Sequence, residues 1–539
     1  MSNDKQPMII LPENVQRMIG RDAQRNNILA ARIVAETVKT TLGPKGMDKM
    51  LVNNIGDITV TNDGVTILEE MEIEHPAAKM IVEIAKTQES EVGDGTTTAV
   101  ILAGKLLENA EILLDKKIHP TVIARGYRIA AEKSQEFLRE ISFKVNSKDD
   151  ALLKQIAATA MTGKGAETAK EKFADIIVKA VKQVGENNKV DLSNIKLVKL
   201  KGKGVEDTEL IEGFVLDKER ANSEMPQQIK NAKIALLECA IELKNPEGDT
   251  KINITSPDQI QAFIEQEEKL LKNMVEKIKK SGANVIFCQK GIDDTVQYYL
   301  SKEKIMAVRR VNKSDMEKIS KATGARIVSS LNELSNKDLG DAAEVSEEKE
   351  ADESMIYIRG CKNPKALTIL IRGGTSHVID EMEKAIKDGL GDVAAAIEIG
   401  RFVAGAGACE VELAKRLRDF SQSLNGREQL AIEKFSESLE AIPIILAENG
   451  GLDPIDVITE LKARHEKGEK NAGINILNNK IEDVLKAGII EPLKIKTQAI
   501  DSASEVAMMI LRIDDVIASG SSSNSSAGQG MPNPSNYVE

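Results

Sequence analysis

The chain has 539 residues and a mass of 58.7 kDa, too long for one hydrophobic core, so two to four domains are expected. A formal charge of −12 and only 3% aromatic residues, with no tryptophan, exclude a dedicated nucleic-acid binder, which needs basic surface and rings on which bases stack. Its 41% apolar and 29% charged residues are ordinary for a soluble globular protein.

The first 150 residues read as helices separated by glycine turns. Residues 22–42 place Ile28, Leu29, Ile33, Ala35 and Val38 along one helical face, and Gly43-Pro44 ends that helix. The alternation in "MLVNNIGDITVTNDGVTIL" predicts a β-hairpin turning near residues 54–57. Two further helices are expected over 77–90 and 97–116, with "GDGTT" as their joint. His75 and His119 each precede a proline, which marks loops or helix starts rather than a ligand pair.

Between about 190 and 374, apolar runs recur as strands over 233–243, 283–292, 305–311, 325–330, 354–360 and 366–374. Helical stretches such as 312–324 separate several of them, the pattern of an α/β domain. A long amphipathic helix is expected from the Ser256 cap and Pro257 to Gly282, with Phe263, Ile264, Leu270, Leu271, Met274, Val275 and Ile278 on one face. Its leader, "TKINITSPDQIQAF", offers apolar residues with nothing to bury them, so packing on its own sheet and projection toward a partner both stay open. After about 375 the chain is helical again, and residues 521–539 form a Ser/Gly/Asn tail that cannot build a core. Helical, α/β, helical order is most simply an α/β module inserted into a helical domain.

No histidine- or cysteine-based metal motif is present, and the four cysteines, with no C-x-x-C pair, read as buried thiols in a reducing compartment. No apolar run approaches bilayer length, and the N-terminus has no secretory pattern. A cytoplasmic protein with neither membrane nor nucleic-acid partners is expected.

The chemistry gathers at the glycine turns. In "EVGDGTTTAV" (91–100), glycines allow close backbone approach to a ligand, and a helix start beyond them presents free N–H groups to an anion. Asp94 would repel a bare phosphate, so it makes sense when a divalent cation bridges the two. A lone GDG is ordinary turn chemistry. "TLGPKGMDK" (41–49), "VTNDG" (60–64), "MTGKGAE" (161–167) and "VAGAGA" (403–408) add further close-approach turns, one offering Asp63 and one Lys164. Together they point to a nucleotide with Mg²⁺, although no Walker spacing is present. Hydrolysis needs carboxylates that orient water. Asp63 supplies one, and spacing leaves Asp388 and Asp392 of "KAIKDGLGDVAAA" open for the second.

"TLGPKGMDKML", "VTNDGVTIL", "EVGDGTTTAV", "RGGTSHVIDEMEKAIKDGL" and "AGAGACEVELAKRLRDF", in this order, resemble the group II chaperonins of the archaeal thermosome type, from about Val15 to Ala518. The resemblance implies a multi-domain α+β/α/β fold. A mostly helical equatorial ATPase domain (1–149 and 405–520) and a small α/β intermediate hinge domain (150–217 and 368–404) each come from two segments. An α/β apical substrate-binding domain (218–367) lies between them, with a helical lid protrusion at about 245–282. It also implies ATP and Mg²⁺, non-native protein substrates, and partner chaperonin subunits in a stacked double ring, where hydrolysis closes the lid. Carried over by motif, Leu42, Gly43, Pro44, Gly95, Thr96, Thr97, Thr98, Lys164, Gly407 and Glu491 would bind the nucleotide and Asp94 the metal. Asp63 and Asp388 would flank the attacking water, the family's acid in a "-DAL-" setting selecting Asp388 over the runner-up Asp392.

The chain departs from the family pattern at Gly389, usually alanine, and at Ala406 and Cys409 in a stretch usually reading "GGGAPE". Glycine costs roughly 1 kcal/mol in a helix interior, so a looser catalytic helix is expected. That keeps a second class open, a ring-forming holdase or scaffold with weak ATP turnover. A small-molecule kinase or ligase is disfavoured, because no compact second-substrate site is evident.

Overall fold

The computed structural model describes residues 15–519 apart from 54, 166–168, 244–256, 351–352 and 363. The 521–539 tail and residues 250–256 of the expected protrusion's leader lie outside the described residues. Apolar side chains gather into separate cores, and the largest draws on both ends of the chain, residues 28–138 and 403–511.

The Thr96–Asp115 helix runs through that core and buries residues on nearly every side, as its almost unbroken apolar sequence requires. Gly104 lets it cross the Arg21–Lys39 helix closely: a Cβ there would stand 2.4 Å from that of Ala35. The helices Pro76–Glu91, Pro120–Ile141, Arg427–Leu439 and Leu493–Leu511 surround it. His75 and His119 prove to be N-caps, each accepting a backbone N–H two residues on through a ring nitrogen, with proline in the first turn. Strand Val15–Ile19 pairs antiparallel with Asp515–Ser519, tying the two chain ends together. The expected hairpin forms from Lys49–Val52 and Ile58–Thr61 and stands out with Met50, Val52, Ile55 and Ile58 exposed.

A second core packs the helices Asp150–Ala160, Lys170–Val184 and Ser376–Ile399 against a three-stranded sheet. In it Leu367–Gly373 lies between Ile195–Lys201, parallel, and Glu209–Ile211, antiparallel. Every residue of Leu367–Gly373 is buried, which explains its continuous apolar run.

The stretch between holds a seven-stranded mixed sheet whose main path runs Met306–Val308, Val285–Cys288, Gln228–Leu237, Gly340–Glu350, Glu353–Arg359, Gly213–Leu216. The sequence pattern finds most of these strands but misses Gly340–Glu350, which is rich in charge and has no clean alternation, although Ala342 and Val345 are buried. The long helix spans Pro257–Ser281 and resolves both readings of its apolar face. Leu271, Val275 and Ile278 are buried on the sheet, while Phe263, Ile264 and Leu270 remain 40%, 52% and 47% exposed. Its second half is docked and its first half presents apolar surface to solvent.

Candidate functional site

Where the first and second cores meet there is a cavity of about 440 Å³. Its wall includes Leu42, Gly43, Pro44, Asp63, Asp94, Gly95, Thr96, Thr97, Thr98, Lys164, Gly407 and Glu491. Residues from five separate turns are thus brought together. Asp388 is not on the wall; it reaches the cavity through Lys164. Asp392, one helical turn further on, is on the wall.

The turns meet backbone to backbone, which is why glycine recurs in them. A Cβ on Gly163 would lie 2.9 Å from Pro44 Cα, and one on Gly64 would lie 2.6 Å from Thr97 Oγ1. Gly95, in left-handed conformation (φ 80°), opens the Thr96–Asp115 helix and leaves its first N–H groups without side-chain caps. Fully buried Gln88 fixes this loop from behind, donating to Asp94 O at 2.9 Å and Ile495 O at 3.3 Å.

Lys164 donates to Asp94 Oδ1 at 3.0 Å and to Asp388 Oδ2 at 2.6 Å. Burial pushes the Asp94 carboxyl up, but the Lys164 charge and the Gly95 N–H outweigh it and hold the group below the usual range. At Asp388 burial dominates, Lys164 opposes it, Asp94 adds to it, and the carboxyl is pushed up to about 7. Asp63 is the N-cap of the Gly64–Glu70 helix, accepting from Thr66 N at 3.1 Å and Thr66 Oγ1 at 2.6 Å. Lys384 donates to the Thr66 hydroxyl at 2.8 Å, tying Asp63 to the helix that carries Asp388.

Also on the wall, Lys496 lies between Glu491 Oε2, 2.6 Å, and Glu410 Oε1, 2.7 Å. Burial raises the Glu491 carboxyl against the pull of Lys496. Ala406 takes φ 53°, a left-handed conformation that suits glycine, and its carbonyl accepts from Ile474 N at 3.0 Å. Apolar Ile442, Leu446, Ile474 and Ile476 line the same end. Gly389 does not leave a gap, because Ile177 Cδ1 lies 2.7 Å from where its Cβ would be.

Sequence reasoning missed Gln88, Lys496 and Asn62, which donates to Gly163 O at 2.9 Å. Gln88 shares a helical face with Ile81, Ala85 and Ile84, and a polar residue on that stripe was its signal. A lysine in a helix reads as solvated, so Lys496 carried none.

A glycine-lined cavity with capless helix N–H groups, a lysine between two aspartates and an apolar end has the donors and shape for a nucleotide. The TCP-1/cpn60 chaperonin family model matches residues 34–521. The chain is 61% identical over 522 residues to the thermosome subunit of Methanopyrus kandleri, covering 96% of each, and 59% identical to thermosome subunit beta of Archaeoglobus fulgidus, covering 95% of each. It also resembles the open-state monomer of a group II chaperonin from Methanococcoides burtonii, with 48% identity, TM-score 0.58, and coverage of 78% of this chain and all of that one. The chain therefore belongs to the TCP-1/cpn60 chaperonin family. Within that family it groups with the thermosome subunits, the group II chaperonins, as molecular chaperones of multi-domain α/β fold.

Proposed function

We propose that the chain hydrolyses Mg-ATP in this cavity and uses the cycle to close a lid over non-native protein inside a double ring of chaperonin subunits in the cytoplasm. The observation that carries the reading is Lys164, which joins Asp94 of the first core to Asp388 of the second across the cavity. A terminal phosphate competing for Lys164 would loosen that link and turn occupancy into domain movement.

In this reading residues 1–149 and 405–520 make the nucleotide domain, 150–217 and 368–404 the hinge, and 218–367 the substrate domain, whose half-exposed helix belongs to the lid and whose core also takes in Phe214 and Leu216. Leu42, Gly43 and Pro44 face the nucleotide from one turn and Gly407 from another, with Glu491 toward the ribose. Gly95, Thr96, Thr97 and Thr98 supply donors to the phosphates. The site suits a divalent ion, since Asp94 keeps its charge among glycine turns and the nearby Asp392 Oδ1 is buried without a partner among the described residues. Bound at Asp94, Mg²⁺ would neutralise charge on the phosphoryl oxygens. Asp63, held by Thr66, and Asp388 orient the attacking water, and Asp388 can take a proton near neutral pH.

Phosphate release by the purified particle tests this. Asp388→Ala is expected to lower turnover by about 10²- to 10⁴-fold while nucleotide binding persists. Unchanged turnover sinks the assignment, and a wild-type particle that holds unfolded protein without hydrolysis is the holdase instead.

A further inference from the structure

Among the described residues, Asp392 is the one acid of the cavity wall to which no role in binding or hydrolysis has been given. It lies four residues after Asp388 on the Ser376–Ile399 helix, hence on the same face, and it is 1% exposed. It lines the cavity, and its Oδ1 has no hydrogen-bond partner among the described residues. A buried carboxyl oxygen without a partner costs free energy unless something else meets it.

The neighbouring glycine explains how it comes to stand there. A Cβ on Gly391 would lie 2.4 Å from Val92 O, and one on Gly93 would lie 3.6 Å from Gly391 Cα. The helix therefore presses its bare backbone on the loop that carries Asp94. Any side chain at 391 would push the two apart by moving the Val92 carbonyl. The close approach puts the acid at 392 beside the Asp94 loop, on the cavity wall.

We propose that Asp392 is a second carboxylate for the divalent cation, adding to Asp94 through the ion's bound water, so that this chain holds its metal more tightly than Asp94 alone allows. The inference rests on the nucleotide and metal reading above. Magnesium-class ions keep several waters and accept carboxylates around that shell, and outer partners of this kind set affinity. Its unused oxygen then has a function only when nucleotide and cation are present.

Mn²⁺ binding to the intact particle in the presence of ADP, followed by electron paramagnetic resonance, tests it without turnover. Asp392→Asn is expected to weaken Mn²⁺ by about 10- to 100-fold, while ADP affinity in chelator stays at the wild-type value. Mn²⁺ binding lost in Asp94→Asn yet unchanged in Asp392→Asn overturns this inference and leaves the site reading standing. Mn²⁺ binding that survives Asp94→Asn overturns the site reading and the inference with it. Asp392→Val, which buries no polar atom, carries the same expectation should the asparagine variant fail to assemble.

Discussion

One cavity carries the same device twice, a lysine between two carboxylates, and uses it differently. Lys496 sits on the Leu493–Leu511 helix, 8% exposed, and both of its partners, Glu410 and Glu491, come from the same chain-end segment. Lys164 sits on a turn, 23% exposed, and holds Asp94 of one core and Asp388 of another. The first cluster is drawn from one chain segment, so breaking it leaves two adjacent buried acids without their common cation. The second joins two bodies, and one of its acids can shed its charge by taking a proton. Identical chemistry is a brace in one place and a latch in the other because of what it connects.

The largest effect should come from the brace. Lys496→Met leaves two carboxylates facing each other in a buried site and is expected to cost about 3–5 kcal/mol, read from urea unfolding of the particle. Cys409 reports the same event: burial, then Glu410, raises its thiol far above the ordinary value, so native protein should resist alkylation at pH 8. Lys496 pulls that thiol down, so in Lys496→Met the cysteine becomes reactive only by opening of the buried site. A variant as stable as wild type, with Cys409 still protected, would erase the distinction between the two clusters.

The latch should cost less. Lys164→Met is expected to lose about 1–3 kcal/mol, because Asp388 escapes its burial penalty by protonation. The sign of the pH dependence follows. Asp388 binds its proton more tightly folded than unfolded, so it subtracts stability as pH rises from the ordinary carboxylate range through about 7. Without Lys164 that loss should deepen and move to higher pH, measured as thermal midpoints in chelator between pH 5 and 9. A loss that shrinks with rising pH would show that Asp94, not Asp388, dominates the pair.

The smallest effect concerns the backbone of the cavity lining. Ala406 occupies a left-handed conformation that costs an L-residue about 1–2 kcal/mol, partly returned by its lower entropy when unfolded. Ala406→Gly should therefore stabilise by up to about 1 kcal/mol. A destabilised variant would mean that the alanine methyl packs usefully against its surroundings.

Much of this architecture is legible in the residues. The helices expected over 22–42, 77–90, 97–116 and 257–282 form at 21–39, 76–91, 96–115 and 257–281, the first ending short of Gly43-Pro44, and the 49–61 hairpin follows from alternation. The nucleotide turns stand out because glycine next to an acid or a lysine is a local signal. Gly340–Glu350 is hidden because its strand character comes from pairing with Gln228–Leu237 and Glu353–Arg359 rather than from its own composition. Gln88 and Lys496 escape notice because their partners, at Ile495 and at Glu410 and Glu491, are named only once the helices pack.

The sequence alone determined that five glycine turns would carry an acid-and-lysine set, because φ freedom, caps and periodicity act over a few residues. Only the tertiary structure decided which acid faces the cavity. Asp388 and Asp392 share one face of one helix, and no local rule separates them. Gly391 against the Val92 carbonyl sets the depth at which that helix meets the Asp94 loop, and that depth gives Lys164 to Asp388 and the cavity wall to Asp392.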